Sequence, residues 1–364
     1  MKAAVFDGTR VDILDIDLEG PRAGEVQVDI AAAGVCHSDL HVLRGEWQVP
    51  IPLVMGHEGS GVVSRIGEGV TDLRVGDHVV LSWVPNCGKC RYCLLGRPAQ
   101  CQVVATIVAS GGVLYDKTSR LSHNGQMIHH YLGVSSFAEQ VVVPQSGAIR
   151  IRKDAPLDLI ALIGCAVATG VGAVRNTAKL AAGSTSAVIG CGGVGLSVIQ
   201  GARLEKASVI VAVDISAEKL RIASKLGATH TLLVDSSMDV SLALRELVPD
   251  GLDYIFDAIG KIQTTEQSIR ALGLGGSAVI VGLPRSGEVA SFEPLALAEA
   301  DQRILGCNYG STVPQIDIPR LVDELMSGDL DLESMVSARR PLSEASDALH
   351  DLDSGSALRQ LLIP

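Results

Sequence analysis

The stretch VIGCGGVG, residues 188–195, constrains this chain more than any other. It follows the apolar run STSAVIG and opens a segment whose helical patterning continues through residue 203. Gly190, Gly192 and Gly195 satisfy G-x-G-x-x-G, with Gly193 and Val194 inside the pattern. Between a strand and a helix, such glycines permit a tight turn and let a pyrophosphate come close to the helix N-terminus. The pattern alone is weak. The following strand, ASVIVAVD, ends at Asp214, about 24 residues after Gly190. A carboxylate there can accept hydrogen bonds from both adenosine ribose hydroxyls. It also repels a 2'-phosphate, and residues 215–218 contain no Arg to receive one, so the expected dinucleotide is NAD.

The surroundings of that turn agree with it. From about residue 160, short apolar runs (ASVIVAVD, THTLLVD, LDYIFDAIG, GGSAVIVG) alternate with helical stretches such as SAEKLRIASKLG. Such alternation predicts a parallel, doubly wound sheet with helices on both faces. Residues 1 to about 150 have a different texture, with runs such as EVQVDIAAAG, GSGVVSRIG and GDHVVLSW separated by Gly, Pro and Asp turns. These predict a rolled antiparallel β domain. A length of 364 residues, 47% of them hydrophobic, is enough for two cores.

Four of the eight cysteines, Cys87, Cys90, Cys93 and Cys101, fall in NCGKCRYCLLGRPAQC with spacing C-x2-C-x2-C-x7-C. A disulfide framework, a redox thiol site and a metal cluster are the three readings of such a group. Short spacers let successive thiolates wrap one ion, and Zn2+ accepts four sulfurs in a closed tetrahedron. Lys89, Arg91 and Arg97 offset the negative charge of such a centre. The favoured reading is a structural zinc, because a closed tetrahedron leaves no open position. Disulfides and redox chemistry are the alternatives.

Charge and segment patterns narrow the partners. A net charge of −11 offers no basic stripe to displace counterions from phosphates, so no nucleic-acid partner is expected. The start, MKAAVFDGTRVDILDIDL, alternates like a strand and carries acids rather than a signal pattern. No run approaches the ~18 apolar residues of a spanning helix, so no membrane partner and a cytoplasmic location are expected. Reduced thiols in that compartment favour metal over disulfide. Cys191 and Cys307 read as small buried hydrophobes. Cys36 in GVCHSDLHVLRG, His57 and Glu58 in MGHEGSGVV, and Cys165 in IGCAVATGVGA have no decisive reading when taken singly.

Taken in order along the chain, Cys36, GHE at 56–58, the four-cysteine lobe, GC at 164–165, and GCGGVG followed by Asp214 resemble the zinc-dependent alcohol dehydrogenases of the medium-chain dehydrogenase/reductase family. The likeness covers essentially the whole length, and SHNGQMIHHYLGVSSFAEQVVVP is most similar to the liver-type branch. The resemblance implies a GroES-like rolled β catalytic domain, 1–165 completed by 309–364, and a Rossmann cofactor domain, 166–308, with the active site in the cleft. It implies a catalytic zinc on Cys36, His57 and Cys165, giving two zinc ions per chain with the four-cysteine site. Asp39 would orient His57, and Glu58 would lie behind the metal. Ser38 would accept the alcohol proton and pass it toward His41 at the surface.

The same resemblance places His37, Thr169, Gly190, Gly192, Gly193, Val194, Gly195, Asp214, Lys219 and Arg359 around the dinucleotide, with His37 and Arg359 at the pyrophosphate. His37 stands where many relatives carry Arg. Trp47, Trp83, Tyr131 and Leu132 would wall an apolar substrate slot. The implied reaction is reversible hydride transfer between NAD and an apolar primary, allylic or aromatic alcohol. CQVVATIVASGGVL lacks the Arg that glutathione-dependent formaldehyde dehydrogenases place near Thr106, which disfavours a thiol adduct as substrate. That adduct, and a non-enzymatic dinucleotide-binding role, are the alternatives. Residues 301–307 would form the edge of a homodimer, with a tetramer as the alternative.

Overall fold

The computed structural model describes residues 1–235 and 237–364. It divides into two compact units, Met1–Cys165 with Val313–Pro364, and Ala166–Thr312.

In the second unit, six strands make one all-parallel sheet in the order His230–Leu233, Val209–Asp214, Thr185–Ile189, Leu252–Asp257, Leu272–Ile280, Arg303–Gly306. Thr185–Ile189, the first strand of the sheet in sequence, is central, and Val188 and Ala187 are fully buried. The chain direction of winding reverses at this strand, the point where open α/β sheets bind ligands beyond the strand ends. Its turn enters helix Gly193–Leu204, capped at Gly192. The next strand ends at Asp214 and feeds helix Ala217–Leu226, where the Ser216 hydroxyl accepts from Lys219 N at 3.4 Å. The expected return to the first unit at 309 falls instead at 313. The turn Tyr309–Ser311 packs on helix Ala166–Gly172, where a Cβ on Gly172 would lie 2.5 Å from the Gly310 carbonyl, so it belongs with the second core.

The first unit is built around the long strand Glu25–Val35, which pairs antiparallel with Glu58–Ile66, Gln140–Pro144 and Arg359–Ile363. Alternate residues Val26, Val28 and Ile30 point into a core shared with Val63, Val79, Leu81, Val141 and Val143. Antiparallel pairing dominates, with parallel contacts between Val336–Pro341 and Arg359–Ile363 and between Leu53–Val54 and Gln126–His130. Among the described residues, no single helix is long and apolar enough to cross a membrane.

Candidate active site

Strand register assembles the first cluster. Gly34 pairs with Glu58 and Val35 with Gln360, so Cys36, His57 and Arg359, each next to a paired residue, converge at one end of the sheet. The close packing is specific: a Cβ on Gly34 would lie 2.1 Å from Glu58 Oε2, and one on Gly164 would lie 2.5 Å from the Leu81 carbonyl. Gly164 thereby lets the chain carry Cys165 against the sheet. The ligand atoms of Cys36, His57, Glu58 and Cys165 all lie within 4.8 Å of one another, and all four residues are buried.

His57 Nδ1 is 3.2 Å from Asp39 Oδ1, while Asp39 Oδ2 accepts from Cys36 N at 3.0 Å. The other ring nitrogen, Nε2, is buried without a hydrogen-bond partner among the described residues. A carboxylate that holds one nitrogen and leaves the other to face a cation is how proteins orient a histidine to ligate metal. Hydrogen bonding between the two thiols pulls Cys36 well below the usual thiol range and pushes Cys165 well above it, so one thiolate is favoured even before a cation arrives. Burial opposes charge on His57, but Asp39 outweighs it and raises the ring well above its ordinary value. Burial pushes Glu58 up to about 8 against the pull of Arg359, its ion-pair partner. The donor set fits zinc: two sulfurs and one nitrogen, with the carboxylate behind them.

The second cluster is the four-cysteine lobe. Cys90 Sγ lies 3.6 Å from Cys93 Sγ and 4.0 Å from Cys101 Sγ. A disulfide needs ~2.05 Å, whereas a tetrahedron with ~2.3 Å zinc–sulfur bonds has edges of ~3.8 Å. Backbone N–H groups of Cys87 and Cys90 point at Cys101 Sγ and Cys87 Sγ, both at 3.3 Å, as suits thiolates. Backbone hydrogen bonding also lowers Cys90 to about 6, while burial pushes Cys93 up to about 12. The spacing of the sulfurs is that of a structural zinc site.

In the second unit, Gly190 adopts φ +95, and its carbonyl nearly touches Gly195, where an added Cβ would lie 1.7 Å away. Above Gly192 there is nothing within 4 Å of an added Cβ, which leaves room for a phosphate over the start of the helix. Asp214 is nearly buried and holds the turn, accepting from Cys191 N at 2.7 Å and Ser216 N at 2.9 Å. These residues fit a dinucleotide.

Residues 22–153 match the alcohol dehydrogenase GroES-like domain, and residues 193–327 match the zinc-binding dehydrogenase domain. An S-(hydroxymethyl)glutathione dehydrogenase from Synechocystis sp. is 35% identical over 364 residues, covering 99% of this chain and 98% of its own. An alcohol dehydrogenase zinc-binding domain protein from Burkholderia ambifaria superposes with TM-score 0.95 at 36% identity, covering 100% of this chain and 98% of its own. Benzyl alcohol dehydrogenase from Acinetobacter calcoaceticus superposes with TM-score 0.94 at 33% identity and the same coverage. The chain belongs to the zinc-dependent medium-chain alcohol dehydrogenases.

Within this dehydrogenase, the remaining residues singled out in the sequence fall in distinct surroundings. Ser38 Oγ is 3.9 Å from Cys36 Sγ. His41, at the end of helix His37–Leu43, bonds Glu46 and stacks on Trp47. His37 is exposed at the first turn of the same helix. Thr169 lies in helix Ala166–Gly172, and Lys219 is half-buried in the first turn of Ala217–Leu226. Arg359 is 3% exposed and pairs with Glu58 through Nη2, its strand register setting it next to Val35 and Cys36, while its Nε has no hydrogen-bond partner among the described residues.

The four residues expected around the substrate sit in three settings. Trp47 covers His41, and Trp83 packs on the core of the long strand. Tyr131 and Leu132 pack in the core beneath helix His37–Leu43. Tyr131 is fully buried, its ring edge-on to His57 at 5.4 Å and its hydroxyl donating to the Ser38 carbonyl at 2.9 Å. It braces the ligand and the proposed proton acceptor from inside the fold. Glu46 and Gly34 escaped the sequence reading. Glu46 had a signal, an acid five residues after a histidine across a glycine; Gly34 had none, since its partner is distant in sequence.

Proposed function

We propose that this enzyme interconverts an apolar primary, allylic or aromatic alcohol and its carbonyl compound, using NAD. The observation that carries the reaction class is the Cys36, His57, Cys165 set with His57 Nε2 buried and unpartnered among the described residues. Bound zinc would supply Lewis acidity to the substrate oxygen, and a bound nicotinamide would supply the hydride acceptor. Ser38, beside Cys36 in the first turn of its helix, takes the hydroxyl proton. His41, with a side chain 21% exposed, hands it to water. Arg359 pairs with Glu58 behind the ligands and opposes the rise that burial imposes on its carboxyl.

For the dinucleotide, Asp214 at the end of its strand supports NAD over NADP. For the substrate, the helical segment Val104–Ala109 is VATIVA and carries no cation to meet a peptide carboxylate. That composition, with the likeness to benzyl alcohol dehydrogenase, supports an apolar alcohol. The second reading is S-(hydroxymethyl)glutathione, favoured by the 35% identity to dehydrogenases acting on it. Steady-state kinetics with benzyl, cinnamyl and short aliphatic alcohols against S-(hydroxymethyl)glutathione separates the two. A kcat/KM for the glutathione adduct above that of every alcohol in the panel overturns the proposed substrate class.

A further inference from the structure

The outer end of the proton path is not a free surface imidazole. Helix His37–Leu43 is capped at Arg44, and Gly45, with φ +66, turns the chain back on itself. The backbone N–H groups of Glu46 and Trp47 then both reach the His41 carbonyl, at 2.9 and 3.3 Å. This double return wraps the two side chains around the His41 ring. Glu46 Oε2 lies 2.5 Å from Nδ1, and the Trp47 ring lies flat over the imidazole, centroids 4.6 Å apart and planes 14° from parallel.

Glu46 is the informative member. Its side chain is only 8% exposed, and burying a carboxylate is costly unless a charged or hydrogen-bonding partner compensates. Besides His41, this helix and the one packed against it carry further charged and titratable groups. Arg44 pairs with Asp353 of helix Ala345–Asp353, the helix packed against this one. On that helix Asp351 pairs with Arg340, and Asp347 and His350 complete its titratable groups. Asp39 is committed to Cys36 N and His57. His37 occupies the opposite end of the helix, in its first turn.

We propose that Glu46 is a positioning residue for the reaction: it holds the Nδ1 proton of His41, with Trp47 fixing the ring plane, so that Nε2 is always the nitrogen that accepts. In a neutral imidazole only one nitrogen carries the proton, and the partner of one decides the role of the other. When Nε2 accepts the proton from the substrate side, the ring becomes a cation. Glu46 then compensates it directly, and the indole face adds its own attraction for a cation. The proton leaves from Nε2 to water, and the ring returns to the same tautomer without turning. This inference rests on the reading that His41 ends the proton path.

The test uses the zinc-loaded enzyme and the variants His41→Gln, Glu46→Ala, Glu46→Gln and the double variant His41→Gln/Glu46→Ala. With a good alcohol at pH 7, His41→Gln and Glu46→Ala should each lower kcat roughly tenfold, with alcohol KM within about twofold. Glu46→Gln keeps an acceptor for Nδ1 without the charge and should fall between. In the double variant, Glu46→Ala should add nothing, because its effect runs through a ring no longer present. A readout independent of turnover is the tautomer, seen by 15N–1H correlation on selectively 15N-histidine-labelled protein. The neutral His41 ring should carry its proton on Nδ1 in the wild type and divide between the two nitrogens in Glu46→Ala. If His41→Gln turns over at the wild-type rate, the proton path itself is wrong and the inference falls with it. If His41→Gln is slow while Glu46→Ala keeps the wild-type rate and tautomer, or if the two losses multiply in the double variant, the path stands and the role of Glu46 is overturned.

Discussion

Gly192 and Gly195 sit three residues apart in one turn, and the structure predicts that alanine at each will fail for different reasons. At Gly195 the new Cβ would lie 1.7 Å from the Gly190 carbonyl oxygen and 2.9 Å from its carbon. Ordinary contact requires more than about 3 Å, so the start of helix Gly193–Leu204 must retreat from the strand by over about 1 Å. Forcing an extra methyl into such packing costs about 1–3 kcal/mol. The unit should therefore melt several degrees lower, at roughly 2–4 °C per kcal/mol for its size. The same retreat would carry away the helix N–H groups proposed to meet the pyrophosphate, and displacements of this size cost about 100-fold in positioned chemistry. At Gly192, by contrast, φ is −76 and an added Cβ meets nothing within 4 Å. Alanine there should leave stability within about 0.5 kcal/mol of wild type. It occupies the space through which the phosphates approach, so NADH affinity should drop at least about tenfold. The assay is thermal unfolding of the cofactor-free protein together with NADH binding by fluorescence titration. Gly195→Ala with wild-type melting and affinity refutes the packing argument. Gly192→Ala that binds NADH normally, or melts as early as Gly195→Ala, refutes the assignment of the open space to the cofactor.

Cys90→Ser should reduce zinc from two ions per chain to one and lower the melting temperature while the Cys36, His57, Cys165 ion stays; elemental analysis decides it, and one zinc in reconstituted wild type sinks the two-site reading. Asp214→Gly should lower the NAD/NADP ratio of kcat/KM by at least about tenfold, since it removes ribose acceptors and a charge that repels a 2'-phosphate. Part of its loss with NAD will reflect the freed Cys191 and Ser216 amides, so an unchanged ratio, not a lower rate, is the refuting result. His130 is buried, and burial together with the nearby Arg120 charge pushes it down to about 3. Its folded value lies below its unfolded one, so below about pH 6.5 the unfolded chain binds a proton that the folded chain refuses, and stability falls with pH. His130→Gln removes that term. Relative to wild type it should gain about 2 kcal/mol between pH 7 and pH 5, at ~1.4 kcal/mol per pH unit below 6.5, in urea titrations; parallel acid limbs would show that His130 is not the group responsible.

What the sequence by itself determined is what short stretches can encode. The turn at 190–195 demands glycine for reasons that operate within six residues, and the four thiols of the lobe are close enough along the chain to meet around one ion whatever else folds. The alternation of apolar runs and helical segments likewise specified the parallel sheet, because the period of each element reflects its own burial. Cys36, His57 and Cys165 were legible only through likeness to a known family. Nothing local joins them, and it is the register of Gly34 on Glu58 and the close approach at Gly164 that bring their ligand atoms together. The pairing of Arg359 with Glu58 had no local signal either, since its partner lies 301 residues away and only strand order decides that the two meet. Tyr131 belongs to the same class: likeness to the family suggested a substrate wall, and only the folded loop turns its hydroxyl onto the Ser38 carbonyl, 93 residues earlier. Glu46 lies between the two cases. Its five-residue separation from His41 is local, yet the contact exists because Gly45 takes a left-handed turn and the surrounding fold removes the carboxylate from water. A carboxylate in water has no need of a particular imidazole, and tertiary burial is what turns that proximity into a partnership.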